Sequence, residues 1–294
     1  MEPDQKTIES IVRLALAEDL GAGDVTSEAT VPTDARAAGA FVARAPGVIA
    51  GLPLAAEVFR QVSPDVRFSP LVDEGASVTA GARIARVTGP ARALLAGERV
   101  ALNFVQRLSG VATLTRRCVD AVRGYDTKIL DTRKTTPGLR LLEKYAVRMG
   151  GGTNHRIGLY DQVLIKDNHL EHLLPAAGSL PAAVRMAVAR ARAHCPPGMV
   201  VEVETETLDM VDAAIEAGAD IIMLDNMTLD DMREAARRVR ARRKATGAAH
   251  PVTEASGGIK PDALAQVAAT GVDSISLGAL THSAPVLDIA LDFE

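Results

Sequence analysis

Residues 200–225 read VVEVETETLDMVDAAIEAGADIIMLD. Residues 200–203 are a short run rich in β-branched side chains, and Glu204 follows them. Residues 208–217 carry apolar side chains at helical spacing and stop at Gly218, the residue type that takes a left-handed helix cap. Residues 221–224 form a second apolar run, followed by Asp225. A strand, a helix and a strand in this order predict a parallel sheet or a βα barrel.

Working outward, the same rhythm fills the chain beyond Gly124. Strands are expected at 128–130, 162–165, 200–203, 221–224, 252–255 and 274–277. Helices are expected at 139–149, 181–194, 208–217, 229–244 and 261–269, with Pro261 suited to a first helical turn and Gly271 to a cap. Each strand is followed by a polar or glycine marker: Asp131, Lys166, Glu204, Asp225, Ser256-Gly257-Gly258 and Gly278. The markers are 21 to 38 residues apart, a spacing that fits βα units. In a parallel barrel the carboxyl ends of all strands face one way, so these groups converge where such barrels place their active sites. A doubly wound open sheet also collects polar groups at strand ends, but no GxGxxG follows a strand here.

The amino-terminal part differs. Ile8, Ile11, Val12, Ala15 and Leu16 define one face of a helix over 7–20, ended by Gly21, Ala22 and Gly23. Short β-like runs at 39–44, 66–70 and 84–87 surround a helix at 53–62. A long helical stretch opens at Pro90 and is expected to break at Ser109-Gly110 before resuming to about Val122. The Glu74-Gly75-Ala76-Ser77-Val78 and Gly81 pattern reads as plain turn chemistry, since no Lys occupies a carrier-like tip.

Composition narrows the function classes. The 294 residues are 47% hydrophobic and 24% charged, which is ordinary globular usage and excludes wholesale disorder. With 33 basic and 37 acidic residues the formal net charge is −4, and there are 5 Phe, 3 Tyr and no Trp. That argues against a dominant nucleic-acid binder, which is usually basic and offers stacking platforms. The longest run without Asp, Glu, Lys or Arg, 274–287, is too short to span a bilayer, and the first ten residues lack a secretory signal pattern. Cys118 and Cys195 lie far apart without a CxxC partner, so a disulfide framework or structural zinc is not expected and a reducing cytoplasm is the default.

The chemistry-bearing residues gather in a few stretches. Asp131-Thr132-Arg133-Lys134-Thr135-Thr136 sets two cations beside three hydroxyls at a strand end, suited to phosphate or carboxylate oxygens; a solvated capping turn would use the same residues. Three glycines at 150–152 precede Thr153-Asn154-His155-Arg156, where backbone can approach a ligand or simply flex. Lys166 follows a buried strand and meets either an anion or a carboxylate such as Glu204 or Asp225. Glu202 and Glu204 share one strand face, and carboxylates at a barrel mouth hold Mg²⁺, bind sugar hydroxyls or pair with nearby cations. Ser256, Gly257 and Gly258, then Leu277, Gly278 and Ala279, follow the last two strands, where barrels build phosphate cradles. His282, taken alone, is more often structural. Arg99, Arg133, Lys134, Arg156 and Lys166 are five cations in a net acidic chain, pointing to a polyanionic small molecule.

The motifs together resemble the quinolinate phosphoribosyltransferase family of type II phosphoribosyltransferases. They are Gly97-Glu98-Arg99 with Ala101-Leu102-Asn103-Phe104, Ser109-Gly110-Val111-Ala112-Thr113, the 131–140 run, Asn154-His155-Arg156, residues 164–169, 201–204, Leu224-Asp225-Asn226, 254–259 and 276–283. They appear in family order from about Glu18 to the last residues, and only the combination is specific. The 170–197 segment, rich in Ala and Pro, reads as a variable surface loop and helix.

The resemblance implies an α/β fold: an amino-terminal α/β sandwich domain over 1–113, joined by the tail at about 280–294, beside an incomplete, open α/β barrel of parallel strands over 114–279. It implies transfer from phosphoribosyl pyrophosphate to quinolinate, giving nicotinate mononucleotide, pyrophosphate and CO₂ with Mg²⁺, in a homodimer whose Arg99 completes the partner's site. By position, Arg99, Arg133, His155, Arg156 and Lys166 are expected around the quinolinate carboxylates and nearby phosphate, with Thr132 among the substrate contacts. Lys134 and Lys166 are expected at the reacting centre, and Glu204 and Asp225 on the ribose hydroxyls and metal. Ser256, Gly257, Gly258, Leu277, Gly278 and Ala279 are expected on the 5′-phosphate, with His282 close by. The competing readings are a related transferase for another aromatic acid such as nicotinate, a non-catalytic binder of phosphorylated metabolites, and a scaffold role for the amino-terminal domain.

Overall fold

In the computed structural model, which describes residues 3–294, the chain forms two compact units. The first gathers residues 1–117, 134–152 and 279–294; the second holds 118–133 and 153–278. Elements are numbered in chain order.

In the first unit, helix α1 (Gln5–Leu20) is capped by the Asp4 carboxylate and buries Ile8, Val12 and Leu16, while Ile11 and Ala15 stay half-buried. Helix α2 (Val25–Thr30), absent from the sequence reading, is short and owes its start to the Asp24 side chain, which accepts from the Thr26 and Ser27 amides. Strands β1 (Arg36–Ala43), β3 (Arg67–Pro70), β5 (Arg83–Pro90) and β12 (Ile289–Phe293) make an antiparallel sheet in the order β12-β1-β5-β3. Phe41 sits opposite both Leu291 and Ala85 in this register. Helix α3 (Leu52–Val62) lays Phe59 against Phe41 and Phe68, with ring centroids 5.6–6.2 Å apart across the trio. Each such pair adds about 0.5–1.5 kcal/mol beyond the area buried.

Strands β2 (Gly47–Val48) and β4 (Ser77–Val78) pair as a two-stranded ribbon. The segment 74–78 is more than a turn. The half-buried Glu74 carboxylate accepts from the Gly51 and Leu52 amides at 2.8 Å each, and from the Tyr145 hydroxyl at 2.6 Å. It thereby caps α3, whose N-cap Gly51 has no side chain to do so. Burial raises its pKa, against these three hydrogen bonds.

Helix α4 runs unbroken over Ala91–Ala121, so the break expected at Ser109-Gly110 does not occur. Ser109 turns its hydroxyl to the backbone of Ala50, and Gly110 presses against the Pro285 carbonyl. Both residues serve close packing against other segments and leave the helical ladder intact. Helices α5 (Arg140–Met149) and α12 (Ala279–His282) complete this unit.

The second unit is built on six parallel strands: β6 (Lys128–Leu130), β7 (Val163–Ile165), β8 (Val201–Thr205), β9 (Ile221–Asp225), β10 (Val252–Ser256) and β11 (Ser274–Ser276). Their order is β6-β11-β10-β9-β8-β7, with β6 and β7 as the two edges of an open barrel. Helices α6 (Asp167–Glu171), α7 (Leu174–Ala177), α8 (Leu180–His194), α9 (Leu208–Ala217), α10 (Leu229–Thr246) and α11 (Leu264–Ala268) supply the crossovers. The helix expected over 261–269 is divided into a 3₁₀ turn, Pro261–Ala263, and α11. Gly218 takes the left-handed cap of α9 with φ 76°. Three strands reach one or two residues further than the sequence indicated, so Glu204, Asp225 and Ser256 lie within the carboxyl ends of β8, β9 and β10.

Candidate active site

Parallel register brings the carboxyl ends of the second unit's strands to one side, and the markers arrive there in layers. Glu204 lies opposite Met223, Ser256 opposite Asp225, and Ser276 opposite Leu130. Beyond β6, Leu130 bridges to Thr153, which extends the edge and brings in the segment 153–156. Asp131, fully buried, clamps that segment: its carboxylate accepts from the Asn154 side chain at 2.6 Å and the His155 amide at 2.9 Å. Asp131 is therefore a structural anchor.

Arg133 and Arg156, both half-buried, come close enough to oppose each other's charge; burial first, then Arg133, lowers the Arg156 pKa. Two guanidiniums held together in this way form a site for anionic oxygens. Lys166 follows β7 and its Nζ donates to Glu204 Oε2 at 3.2 Å, so the ion pair weighed against an anion site is present. Burial raises the Glu204 pKa, Lys166 opposes that rise, and Asp225 adds to it. Thus Glu204 and Asp225 feel each other's charge at adjacent strand ends.

The glycine loop after β10 is shaped by close approach. Gly257 has φ +90°, and a Cβ there would lie 2.3 Å from Asn226 Oδ1. Asn226 itself takes the left-handed region at φ 53°, donating from its amide to the Ser256 carbonyl and from its side chain to Asp225. Gly258 also has positive φ and is exposed. After β11, the Leu277 amide is spent on the Leu130 carbonyl at 2.9 Å and so is not a phosphate donor; Gly278 is half-buried behind it.

The second unit therefore holds Thr132, Arg133, His155, Arg156, Lys166, Glu204, Asp225, Ser256, Gly257, Gly258, Leu277 and Gly278. Arg99, Lys134, Ala279 and His282 belong to the first. There, Arg99 and Lys134 are exposed, and His282 is exposed with its ring against the Ser283 hydroxyl. The hydroxyls expected beside them divide differently than anticipated. Thr136 donates to Glu143, and Thr135 accepts from Arg140, so both are engaged within the unit. Glu143, wholly buried, also accepts from Arg107 at 2.6 Å, and the Lys134 carbonyl accepts from Thr281 at 2.8 Å. This buried scaffold under Lys134 was missed, because its partners are 36 and 147 residues apart in sequence.

Open-barrel parallel strands, paired arginines and a glycine loop at their carboxyl ends define an enzyme class that works on anionic small molecules. Family models place the chain within that class: the quinolinate phosphoribosyl transferase N-terminal domain matches residues 24–109 and the C-terminal domain residues 111–292. The chain belongs to the quinolinate phosphoribosyltransferase family. It is 45% identical, over 94% of its length and 89% of the relative's, to a probable nicotinate-nucleotide pyrophosphorylase [carboxylating] of Synechocystis. It is 44% identical to the Mycobacterium leprae nicotinate-nucleotide pyrophosphorylase [carboxylating], over 96% and 95% of the two chains. The solved nicotinate-nucleotide pyrophosphorylase of Francisella tularensis superposes with TM-score 0.90 at 38% identity, covering 100% of this chain and 98% of that one.

Proposed function

We propose that the chain catalyses phosphoribosyl transfer with decarboxylation: quinolinate and phosphoribosyl pyrophosphate give nicotinate mononucleotide, pyrophosphate and CO₂, a step of NAD biosynthesis. Full-length similarity to relatives named for this reaction supports it. The observation that carries it within the molecule is the Arg133–Arg156 pair beyond the strand ends, the same ends of the parallel strands that Lys166 and the Gly257 loop follow.

The chemistry follows from charge. Quinolinate has two carboxylates and its co-substrate several phosphate charges, so bringing them together costs Coulomb energy that cations must offset. Arg133 and Arg156, with His155 beside them, receive the carboxylates. Lys166 faces the departing pyrophosphate, Lys134 carries a second positive charge for the reaction, and Glu204 and Asp225 orient the ribose hydroxyls. Ser256, Gly257, Gly258 and Gly278 receive the 5′-phosphate. The ring nitrogen displaces pyrophosphate at the anomeric carbon, the positive charge it gains stabilises the electron pair left on the adjacent carbon when CO₂ departs, and that carbon then takes a proton from water to give the product. Positioning and preorganised charge do most of this work.

Two oxygen donors within charge range, Glu204 and Asp225, suit a hard cation such as Mg²⁺. Held there, Mg²⁺ would supply neutralising charge for the pyrophosphate. The working unit in this reading is a homodimer in which Arg99 reaches the partner's site. The setting is a reducing cytoplasm, with Cys118 and Cys195 as free thiols. Among the described residues no helix is long and apolar enough to cross a membrane.

The deciding assay follows labelled CO₂ from carboxyl-labelled quinolinate. Release that requires phosphoribosyl pyrophosphate is expected. Transfer to nicotinate without CO₂ release would move the chain to a related transferase, and binding of both substrates without turnover would make it a binder.

A further inference from the structure

One layer beneath Glu204 lie two acids that the chemistry above does not use. Glu202 on β8 and Glu254 on β10 are 0% and 1% exposed. One oxygen of each faces Nε2 of His155, at 3.2 and 3.5 Å. Strand β9 lies between their strands, which puts the two backbones about 9–10 Å apart by ordinary strand spacing; the curvature of the open barrel brings both carboxylates to one imidazole.

Two carboxylates buried this closely repel each other, and their desolvation is costly. Burial and the neighbouring Glu254 push the Glu202 pKa up to about 7. Burial alone would lower the pKa of His155, but the two carboxylates outweigh it and raise it. Apolar side chains of similar size would pack these strands at lower cost, so the acids answer to what they hold.

What Glu202 holds forms a closed ring. Its Oε2 accepts from the Gln162 side chain at 2.5 Å and faces His155 Nε2. The Gln162 carbonyl accepts from Arg156 Nη1 at 3.2 Å. The Arg156 amide lies 2.7 Å from His155 Nδ1, and the other ring nitrogen, Nε2, faces the two carboxylates. Glu254 approaches the same nitrogen from β10. Arg156 would otherwise turn away from Arg133, since like charges oppose each other across the half-buried pair.

We propose that Glu202 and Glu254 are positioning residues that act through His155 and Gln162 to aim the Arg156 guanidinium and the His155 ring at the carboxylates of the dianionic substrate. This assignment rests on the reading of function given above. It commits the acids to one substrate: the pyridine dicarboxylate should suffer when they are removed, and the phosphorylated co-substrate should not.

The experiment compares the full-length parent with Glu202→Gln, Glu254→Gln and Gln162→Leu. Each is assayed for CO₂ release at varied quinolinate and varied phosphoribosyl pyrophosphate, with thermal melting and elemental metal content measured alongside. The expected result is folded protein whose KM for quinolinate rises by about tenfold or more for the glutamate variants, and less for Gln162→Leu, with KM for phosphoribosyl pyrophosphate within about twofold of the parent. If the glutamate variants fail to fold, Gln162→Leu, at a half-buried position, decides by the same split of KM values. Folded variants with parental KM for quinolinate, or with equal rises for both substrates, overturn the assignment while the parent's activity stands. A stoichiometric divalent metal, present in the parent and lost in Glu254→Gln, also overturns it, because His155, Glu202 and Glu254 offer ligand atoms within 4.8 Å of one another. A parent that releases no CO₂ overturns the functional reading and this assignment together.

Discussion

Lys166 shows how one side chain serves two accounts. Its ammonium pairs with Glu204 while the side chain remains 46% exposed. A pair whose ammonium is this open to solvent, although its carboxylate is buried, contributes on the order of 1 kcal/mol to stability, whereas a cation facing a charge that develops during reaction is worth about 3–4 kcal/mol of barrier. Lys166→Ala and Lys134→Ala are therefore expected to lower turnover by about a hundredfold or more, with melting within a few degrees of the parent. Turnover near the parental rate for either variant would remove that lysine from the reacting centre. At this scale the sequence was readable where a residue stood at a strand end, as Lys166, Asp225 and Gly257 do. The shared face of Glu202 and Glu204 was also visible from their spacing. What could not be read was tertiary partnership. Glu74 serves helix α3 from 22 residues away, and Glu143 serves Arg107 from 36; nothing local marks either.

Helix α4 carries the same lesson at the scale of an element. Ser109-Gly110 is a breaker by local propensity, since glycine inside a helix costs about 1 kcal/mol relative to alanine. The helix continues because the missing Cβ lets another segment approach: a Cβ on Gly110 would lie 2.0 Å from the Pro285 carbonyl oxygen and 2.9 Å from Val286 Cα. Those are backbone atoms, which cannot rotate aside. Gly110→Ala is thus expected to lose more from overpacking, about 1–3 kcal/mol or beyond, than it gains in helix propensity. The check is thermal melting, with a fall of several degrees expected; an unchanged or raised midpoint would show that the contact gives way freely. The barrel strands were legible because their apolar runs are continuous and end in polar markers. Strand β12 was not, because Ile289–Phe293 alternates with Asp292 and gains its meaning only from pairing with β1.

At the scale of the whole molecule, Arg99 has to be accounted for. It lies on α4 in the first unit, exposed, one turn beyond Leu95, which is 37% exposed. An arginine on an exposed helical turn is among the residue types enriched where protein surfaces meet. Burial meanwhile raises the pKa of the neighbouring Glu98, with Arg99 opposing the rise. In the proposed homodimer, Arg99 supplies charge to the partner's strand ends, so a site lacking its own Lys166 differs from one lacking the visiting Arg99. Mixing Arg99→Ala chains with Lys166→Ala chains then generates one site with both defects and one with neither. Each single-variant homodimer alone should be nearly inactive, and verified heterodimers should recover up to about half the activity per site of the parent protein, as one intact site of two requires. The recovery should appear only after dissociation and reassociation. Heterodimers as inactive as either single variant would confine Arg99 to its own subunit, and the positive rim would then have to be complete within one chain.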